Sequence, residues 1–115
     1  MALATEGKKV MLEAFGAAAL RVDLYDDTET ILEGSGYEQQ TIAWTYDGGD
    51  VILNADDVGG VVAEFSVPAG TVKHVKFKKT DNTVMASHDL GLNAETFTNP
   101  GTYQLTAASL ELDPA

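Results

Sequence analysis

The segment that decides the fold has the sequence VVAEFSVPAGTVKHVKF and spans residues 61–77. Apolar side chains recur at every second position from residue 61 to 67, and again at Val75 and Phe77. This period of two directs one face of a strand toward a core and the other toward water or a partner. The intervening Pro68–Gly70 is typical of a turn. We therefore predict two strands joined by a turn.

The same alternation appears earlier in the chain, in residues 20–25 and 41–46. Turn-forming sequences separate the alternating runs, and they are Asp26–Thr28, Gly34–Gly36, Asp47–Asp50, Gly59–Gly60, Asp81–Asn82 and Asn99–Gly101. Short strands at this spacing, without alternating helices, predict an all-β fold. We expect an antiparallel β-sandwich or jelly roll.

The last apolar run changes its parity. Tyr103 and Leu105 share one parity, whereas Leu110 and Leu112 share the other. A continuous strand would send these two pairs to opposite faces. We therefore predict a bulge or bend near Ala107–Ser109.

The N-terminal segment has helical periodicity instead. Thr5 is suited to cap a helix, and Gly16 is suited to end one. Between them, an apolar stripe at helical spacing predicts a short helix over about residues 5–15 that packs on the sandwich. The members of this stripe are Val10, Met11, Ala14 and Phe15.

The chain length fits one domain. Its 115 residues are enough for a hydrophobic core but too few for two ordinary domains. We divide this domain into an N-terminal arm and helix, residues 1–18, and a sandwich, residues 19–112. Residues 113–115 are expected to extend from the last strand.

Charge and composition narrow the classes of partner. The net charge is −11, from 18 acidic and 7 basic residues, which disfavours a nucleic-acid partner. The sequence has no cysteine, so thiol chemistry and disulfides are excluded. No apolar stretch is long enough to cross a bilayer, so we expect no membrane partner.

Catalytic motifs are absent from the sequence. The two histidines, His74 and His88, have no recognisable nucleophile beside them. Asp47 and Asp50 flank a diglycine and Asp56–Asp57 follow closely, which suits either calcium or ordinary turns. The glycines lie in turns rather than between a strand and a helix, so no phosphate-binding motif is present. We predict no enzyme activity, no catalytic residues, no metal and no cofactor; a metal-dependent hydrolase that uses the aspartate loops is the enzymatic alternative.

A basic stretch contrasts with the acidic remainder of the chain. Lys73, Lys76, Lys78 and Lys79 are four of the seven basic residues, and His74 lies among them. One interpretation is an edge strand that lysines protect from unwanted pairing. The other is a contact with an acidic patch on a neighbouring subunit or partner.

Two aromatic residues suggest a carbohydrate-binding alternative. Tyr37 and Trp44 together resemble the stacking platform of a sugar site. Trp44 shares its parity with Ile42, so we expect it in the core. Tyr37 follows the glycine-rich Gly34–Gly36 and is the freer of the two.

Three segments, in order along the chain, resemble a family of small structural proteins of tailed bacteriophages (siphophages), usually labelled tail or tail-fibre proteins. The first is residues 1–8, which continue into Met11-Leu12, and the second is Gly34–Gln40, followed by Ile42 and Trp44. The third is Val67–Val75, which continues to Phe97, residues 101–106 and Leu110. The family often carries an arginine where this chain has Gln39, so any contact of that arginine is made differently here.

The resemblance implies a virion structural protein, made in the host cytoplasm and located on the capsid surface or the tail. We expect a capsid decoration (cement) subunit that stabilises the head as a homotrimer and binds the phage major capsid protein. The alternative is a tail or tail-fibre-associated protein that binds other tail proteins, a receptor or a carbohydrate. Candidate contacts with a subunit or partner are Tyr37, Gln39, Lys73, His74, Lys76, Lys78 and Lys79.

Overall fold

The alternating runs of the sequence form strands in the computed structural model, which describes residues 4–112. The described part of the chain is mostly β, with 44% in strands, and has one N-terminal helix. The predicted extension of residues 113–115 lies outside the described residues. The helix is α1 (Thr5–Ala18), and a short 3-10 helix covers Gly91–Asn93. The strands are β1 (Arg21–Tyr25), β2 (Gln40–Thr41), β3 (Trp44–Asp47), β4 (Ile52–Ala55), β5 (Ala63–Val67), β6 (Gly70–Val72), β7 (His74–Lys78), β8 (Val84–Asp89), β9 (Glu95–Phe97), β10 (Gly101–Leu105) and β11 (Ser109–Glu111).

The strands pair antiparallel in four sheets. The largest has the order β2-β1-β7-β8, and a second has the order β11-β4-β3. Strands β5 and β10 form one two-stranded sheet, and β6 and β9 form the other. The arrangement is sandwich-like, so the predicted all-β class with a short N-terminal helix is confirmed.

The core lies between the β1–β7 sheet and the β5–β10 pair. Val22 and Leu24 of β1 are fully buried, as are Phe65 and Val67 of β5. The alternation predicted for residues 61–67 is exact in β5, where buried and exposed residues alternate. Each such side chain stabilises the fold by roughly 1.5–3 kcal/mol.

The helix is longer than predicted at its C-terminal end. It runs through Gly16 to Ala18, and Thr5 is its first helical residue rather than its cap. Ala4 holds the N-cap position without a side-chain hydrogen bond, so the predicted cap and stop are both wrong. Gly16 serves packing instead, because a Cβ there would lie 3.2 Å from both Leu53 Cδ2 and Trp44 Cβ. The helix therefore approaches the β3–β4 hairpin closely at this position.

The packed face of the helix also differs from the predicted stripe. Leu12 is fully buried, and the Phe15 ring packs edge-to-face on Trp44 with 5.5 Å between ring centroids. Val10 and Met11 are 59% and 51% exposed. Of the predicted stripe only Phe15 packs on the core, because the side of the helix that carries Leu12, Phe15 and Gly16 makes the contact with β3 and β4.

The bend predicted near Ala107–Ser109 is present. Strand β10 ends at Leu105 and pairs with β5, whereas β11 begins at Ser109 and pairs with β4. The chain thus leaves one sheet and joins another across residues 106–108. This change of partner accounts for the change of parity in the sequence.

Candidate functional site

Asp23 is the centre of a buried polar cluster that joins three of the candidate contact residues. Its side chain is 1% exposed. Carboxylate Oδ2 accepts hydrogen bonds from Lys78 Nζ at 2.8 Å and Gln39 Nε2 at 2.7 Å. The other oxygen, Oδ1, accepts from the Tyr37 hydroxyl at 2.8 Å. Every buried side-chain N or O atom within residues 4–112 has a partner, so this cluster is satisfied internally.

Backbone geometry brings the loop of Tyr37 and Gln39 onto β1. Gly34, Ser35 and Gly36 all have positive φ, at 102°, 53° and 83°, which turns the chain sharply. Glycine adopts this region without the penalty that other residues carry. The loop thereby delivers its tyrosine and glutamine side chains to Asp23.

Tyr37 is held by both ends of its side chain. Its hydroxyl accepts a hydrogen bond from the Leu24 backbone N–H at 2.8 Å while it donates to Asp23. Its ring stacks on Phe65, with 5.7 Å between centroids and 11° between planes. Tyr37 is therefore not a free side chain, because its hydroxyl and its ring both have partners within the chain.

The electrostatics of the cluster keep the Lys78 ammonium charged and the Tyr37 hydroxyl neutral near neutral pH. Burial by itself lowers the pKa of the Lys78 ammonium, but its hydrogen bonds and charge interactions with Asp23 and Tyr25 outweigh burial and raise this pKa. Burial raises the pKa of the Tyr37 hydroxyl well above its ordinary value. The charged Lys78 ammonium and the neutral Tyr37 hydroxyl therefore both donate to the Asp23 carboxylate. This arrangement stabilises the fold around Asp23.

The basic stretch does not form an edge. Strand β7 carries His74, Lys76 and Lys78 between β1 and β8, so the predicted lysine-protected edge strand is wrong. Lysines prevent unwanted pairing with another chain only when they lie on an outer strand of a sheet. The outer strand next to β7 is β8, which has no lysine among its residues Val84–Asp89.

Three of the candidate lysines have carboxylate partners within the chain. Lys78 pairs with Asp23, Lys73 Nζ lies 3.1 Å from Asp89 Oδ1, and Lys76 Nζ lies 3.4 Å from Glu29 Oε1. Lys78 is buried, so it is not available to a partner. The positive stripe of the sequence is therefore largely neutralised in the fold.

The other two candidates in this stretch remain accessible to different degrees. Lys79 is exposed and makes no ion pair within residues 4–112. His74 is half-buried and lies opposite Tyr25 on β1 and Asp89 on β8. Lys79 thus remains the most accessible candidate of the stretch.

An open groove with aromatic and polar lining runs beside the outer strand β8. Its volume is about 740 Å³, and it is lined by Phe15, Trp44 and Phe77, with residues 86–88 and 105–110 along its sides. The Trp44 ring packs edge-to-face on Phe77, with 5.4 Å between centroids, and its indole N–H donates to the Ala19 carbonyl at 2.8 Å. Trp44 therefore packs against the core, as predicted, while it also lines the groove. Sequence patterns did not reveal the groove, because residues distant in sequence form it.

The acidic loops are built as turns. The Asp47 carboxylate accepts from the Gly49 N–H at 2.9 Å, and Asp57 accepts from the Gly60 N–H at 2.9 Å. Across the described range 4–112, no cluster of three or more His, Cys, Asp or Glu side chains is placed to hold a metal ion. Turn formation explains the position of these aspartates.

Within the same range, α1 and the 3-10 helix are both too short and too polar to cross a membrane. Comparisons with family models, with curated proteins and with solved structures found no match to this chain.

Proposed function

We propose that this chain is a structural subunit of a tailed-bacteriophage virion and acts as a capsid decoration protein in the form of a homotrimer. The observation that carries the proposal is a contrast on the surface of the chain. Polar candidates such as Gln39 and Lys78 have a hydrogen-bond partner within the chain, whereas large apolar side chains face solvent. Val58 is 87% exposed and Leu92 is 105% exposed, in addition to Val10 and Met11. Burial of these side chains against a neighbouring subunit would be favourable.

The ordered resemblance to small phage structural proteins supports the same role. It covers nearly the whole chain, and the Gly34–Gln40 segment within it supplies Tyr37 and Gln39 to the Asp23 cluster. A loop that is fixed on the sheet in this way gives a rigid subunit surface. Rigidity favours repeated identical contacts, because less conformational entropy is lost when they form.

Copy number per particle is the experiment that tests the proposal. Purified virions are analysed by quantitative mass spectrometry against the major capsid protein, and by cryo-electron microscopy. Hundreds of copies on the head are expected for a decoration subunit. A handful of copies at the tail would favour the tail-associated role, and particles that lack the chain would exclude a virion role altogether.

The groove beside β8 favours a second candidate, a receptor- or carbohydrate-binding module of the tail. Phe15, Trp44 and Phe77 line it, and aromatic faces are suited to stack on sugar rings. A glycan array and host adsorption with purified protein test this role. Binding that falls on Trp44→Ala but not on Tyr46→Ala would support it, whereas no binding to the host surface would exclude it.

A further inference from the structure

Strand β8 has six residues, more than any other strand within residues 4–112, yet it is almost uncovered. Only Ala86 among them is half-buried, and the other five are exposed. In the described part of the chain β8 pairs with β7 on one side and with no strand on the other. Outer strands are normally protected by lysine, proline or a bulge. Strand β8 carries neither lysine nor proline, and its one irregularity lies between Val84 and Ala86, so Ala86–Asp89 is a regular open edge.

This open edge presents backbone donors and acceptors to solvent. The Leu90 N–H donates to the Lys73 carbonyl at 2.8 Å, so it points toward the side on which β7 lies. Backbone groups alternate in direction along a strand, and those of Ser87 and Asp89 therefore point away from β7. Such a row of groups is complementary to the backbone of another extended chain, which adds to the sheet as a further strand.

The groove lies along the same edge. Ala86, Ser87 and His88 form one of its sides, and residues 105–110 form the other. Ala86 is opposite Phe77 in the register of β7 and β8, so both side chains lie on the face of the sheet that borders the groove. A chain that pairs with β8 would direct every second side chain to this face. Those side chains would contact the aromatic lining of the groove.

The charges of the groove select a basic segment. Asp57 is the one residue with a carboxylate among those that line it, and no lysine or arginine lines it. Asp57 is exposed, so its charge lies at the rim, where the outward side chains of an added strand would pass. The net charge of −11 attracts basic segments and repels acidic ones. An extended segment with apolar residues on one face and basic residues on the other therefore fits this site.

We propose that the open edge of β8 and the groove beside it bind an extended basic segment of a partner protein, which becomes a fifth strand of the β2-β1-β7-β8 sheet. Its apolar side chains contact Phe15, Trp44 and Phe77, and its basic side chains lie near Asp57. The inference goes beyond the virion role, because it names the class of ligand that this edge recognises. It also assigns the groove to a peptide rather than to a sugar.

Binding of a synthetic peptide to the full chain is the first test. The probe is an octapeptide of alternating valine and lysine, and the matched control is the octapeptide of alternating valine and glutamate. Calorimetric titration is expected to show binding of the lysine peptide only. Asp57→Asn should weaken this binding by about two- to fivefold, as expected for an exposed ion pair. A wild-type chain that binds neither peptide, or both equally, would overturn the proposal.

Ser87→Pro tests the backbone contact. Proline is tolerated where the N–H of an outer strand faces solvent, but it removes this donor and its ring blocks an added strand. The variant should remain folded by circular dichroism and bind the lysine peptide about tenfold more weakly or worse. Ser87→Ala is the matched control, because it keeps the N–H, and it should bind as the wild type does. Equal binding by Ser87→Pro and Ser87→Ala would contradict strand addition.

Hydrogen exchange distinguishes the other possible occupants. In the free chain the Ser87 and Asp89 amides should exchange faster than the His88 amide, and the lysine peptide should protect them. Protection of Ser87 in the free chain, together with a molar mass that falls in Ser87→Pro, would show that a second copy covers the edge and would overturn the proposal. None of these measurements depends on the presence of the chain in virions, so the virion role is decided separately by copy number.

Discussion

The carboxylate of Asp23 and the ammonium of Lys78 lie 2.8 Å apart, with their side chains only 1% and 7% exposed. The pair joins β1 to β7, the two central strands of the largest sheet. Because the pKa of Lys78 is raised, the stabilising contribution of this group is complete below its ordinary pKa of about 10.4. It is lost only as the pH rises through the higher pKa of the folded state.

Lys78→Met is expected to destabilise the fold strongly. Methionine retains much of the packing volume but leaves the Asp23 charge buried without its cation, and breaking such a pair typically costs about 3–5 kcal/mol. Urea unfolding at one protein concentration measures the free energy of unfolding. Lys79→Met is the matched control, because Lys79 is exposed, and it should change this free energy by less than about 0.5 kcal/mol. Equal effects of the two variants would contradict the structural role of the pair.

Tyr37→Phe is expected to lower the free energy of unfolding by about 1–3 kcal/mol, because it leaves the Leu24 N–H and one Asp23 oxygen without the hydroxyl. The ring can still stack on Phe65, so the loss reports on hydrogen bonding. Amide hydrogen exchange should show reduced protection at Leu24. Tyr46→Phe is the matched control, since the Tyr46 hydroxyl makes no hydrogen bond within residues 4–112. If Tyr37→Phe leaves the protection of the Leu24 amide unchanged, this result would argue against the hydrogen bond between Tyr37 and Leu24.

The strands were predictable because their core residues follow a local period. The buried and exposed residues of β5 alternate as the sequence does, and the parity change after Leu105 correctly located the bend. Helix α1 was harder to predict in detail. Two of its sides are apolar, so the sequence could not show which one packs on β3 and β4.

The Asp23 cluster was predictable only in part. Tyr37, Gln39 and Lys78 were selected individually, each as a surface contact, yet all three bind one carboxylate. Asp23 itself resembled an ordinary polar residue of an alternating strand. A charged residue between two fully buried neighbours, Val22 and Leu24, was the available signal, but its partners lie 14 to 55 residues away. Contacts at such separations depend on the topology, which the local pattern does not contain.

The turn at Asp26 is expected to weaken in acid. Its carboxylate accepts from the Thr30 N–H at 2.9 Å, from the Thr28 hydroxyl at 2.7 Å and from the Thr28 N–H at 2.8 Å, and these bonds lower the pKa of Asp26. The unfolded chain then binds more protons in acid, so this contribution is present above about pH 4 and is lost as the pH falls through the folded-state pKa.

NMR titration of the side-chain carboxyl carbon should therefore show Asp26 titrating below about pH 3.9. In thermal unfolding, Asp26→Asn should be less stable than the wild type at pH 6, with the difference shrinking toward pH 2. Asp27→Asn removes the same charge from the same turn and should cost less at pH 6. A titration midpoint at or above the ordinary value would contradict the lowered pKa.

Gln39→Arg is expected to rescue Lys78→Met. The Gln39 amide donates to Asp23 Oδ2 at 2.7 Å and to Asn82 Oδ1 at 2.8 Å, so a guanidinium at this position would reach the same carboxylate. Arginine carries five donors and a permanent charge, which suits a buried carboxylate that has lost its lysine.

The double variant should recover more than half of the free energy of unfolding that Lys78→Met loses. Gln40→Arg in the same Lys78→Met background is the matched control. It adds the same side chain one residue away, where the Gln40 amide donates to the Glu38 carbonyl instead. Urea unfolding of the wild type, of Lys78→Met and of the two double variants measures the recovered free energy of unfolding directly. Equal recovery by the two arginines would show that net charge, rather than contact with Asp23, restores stability.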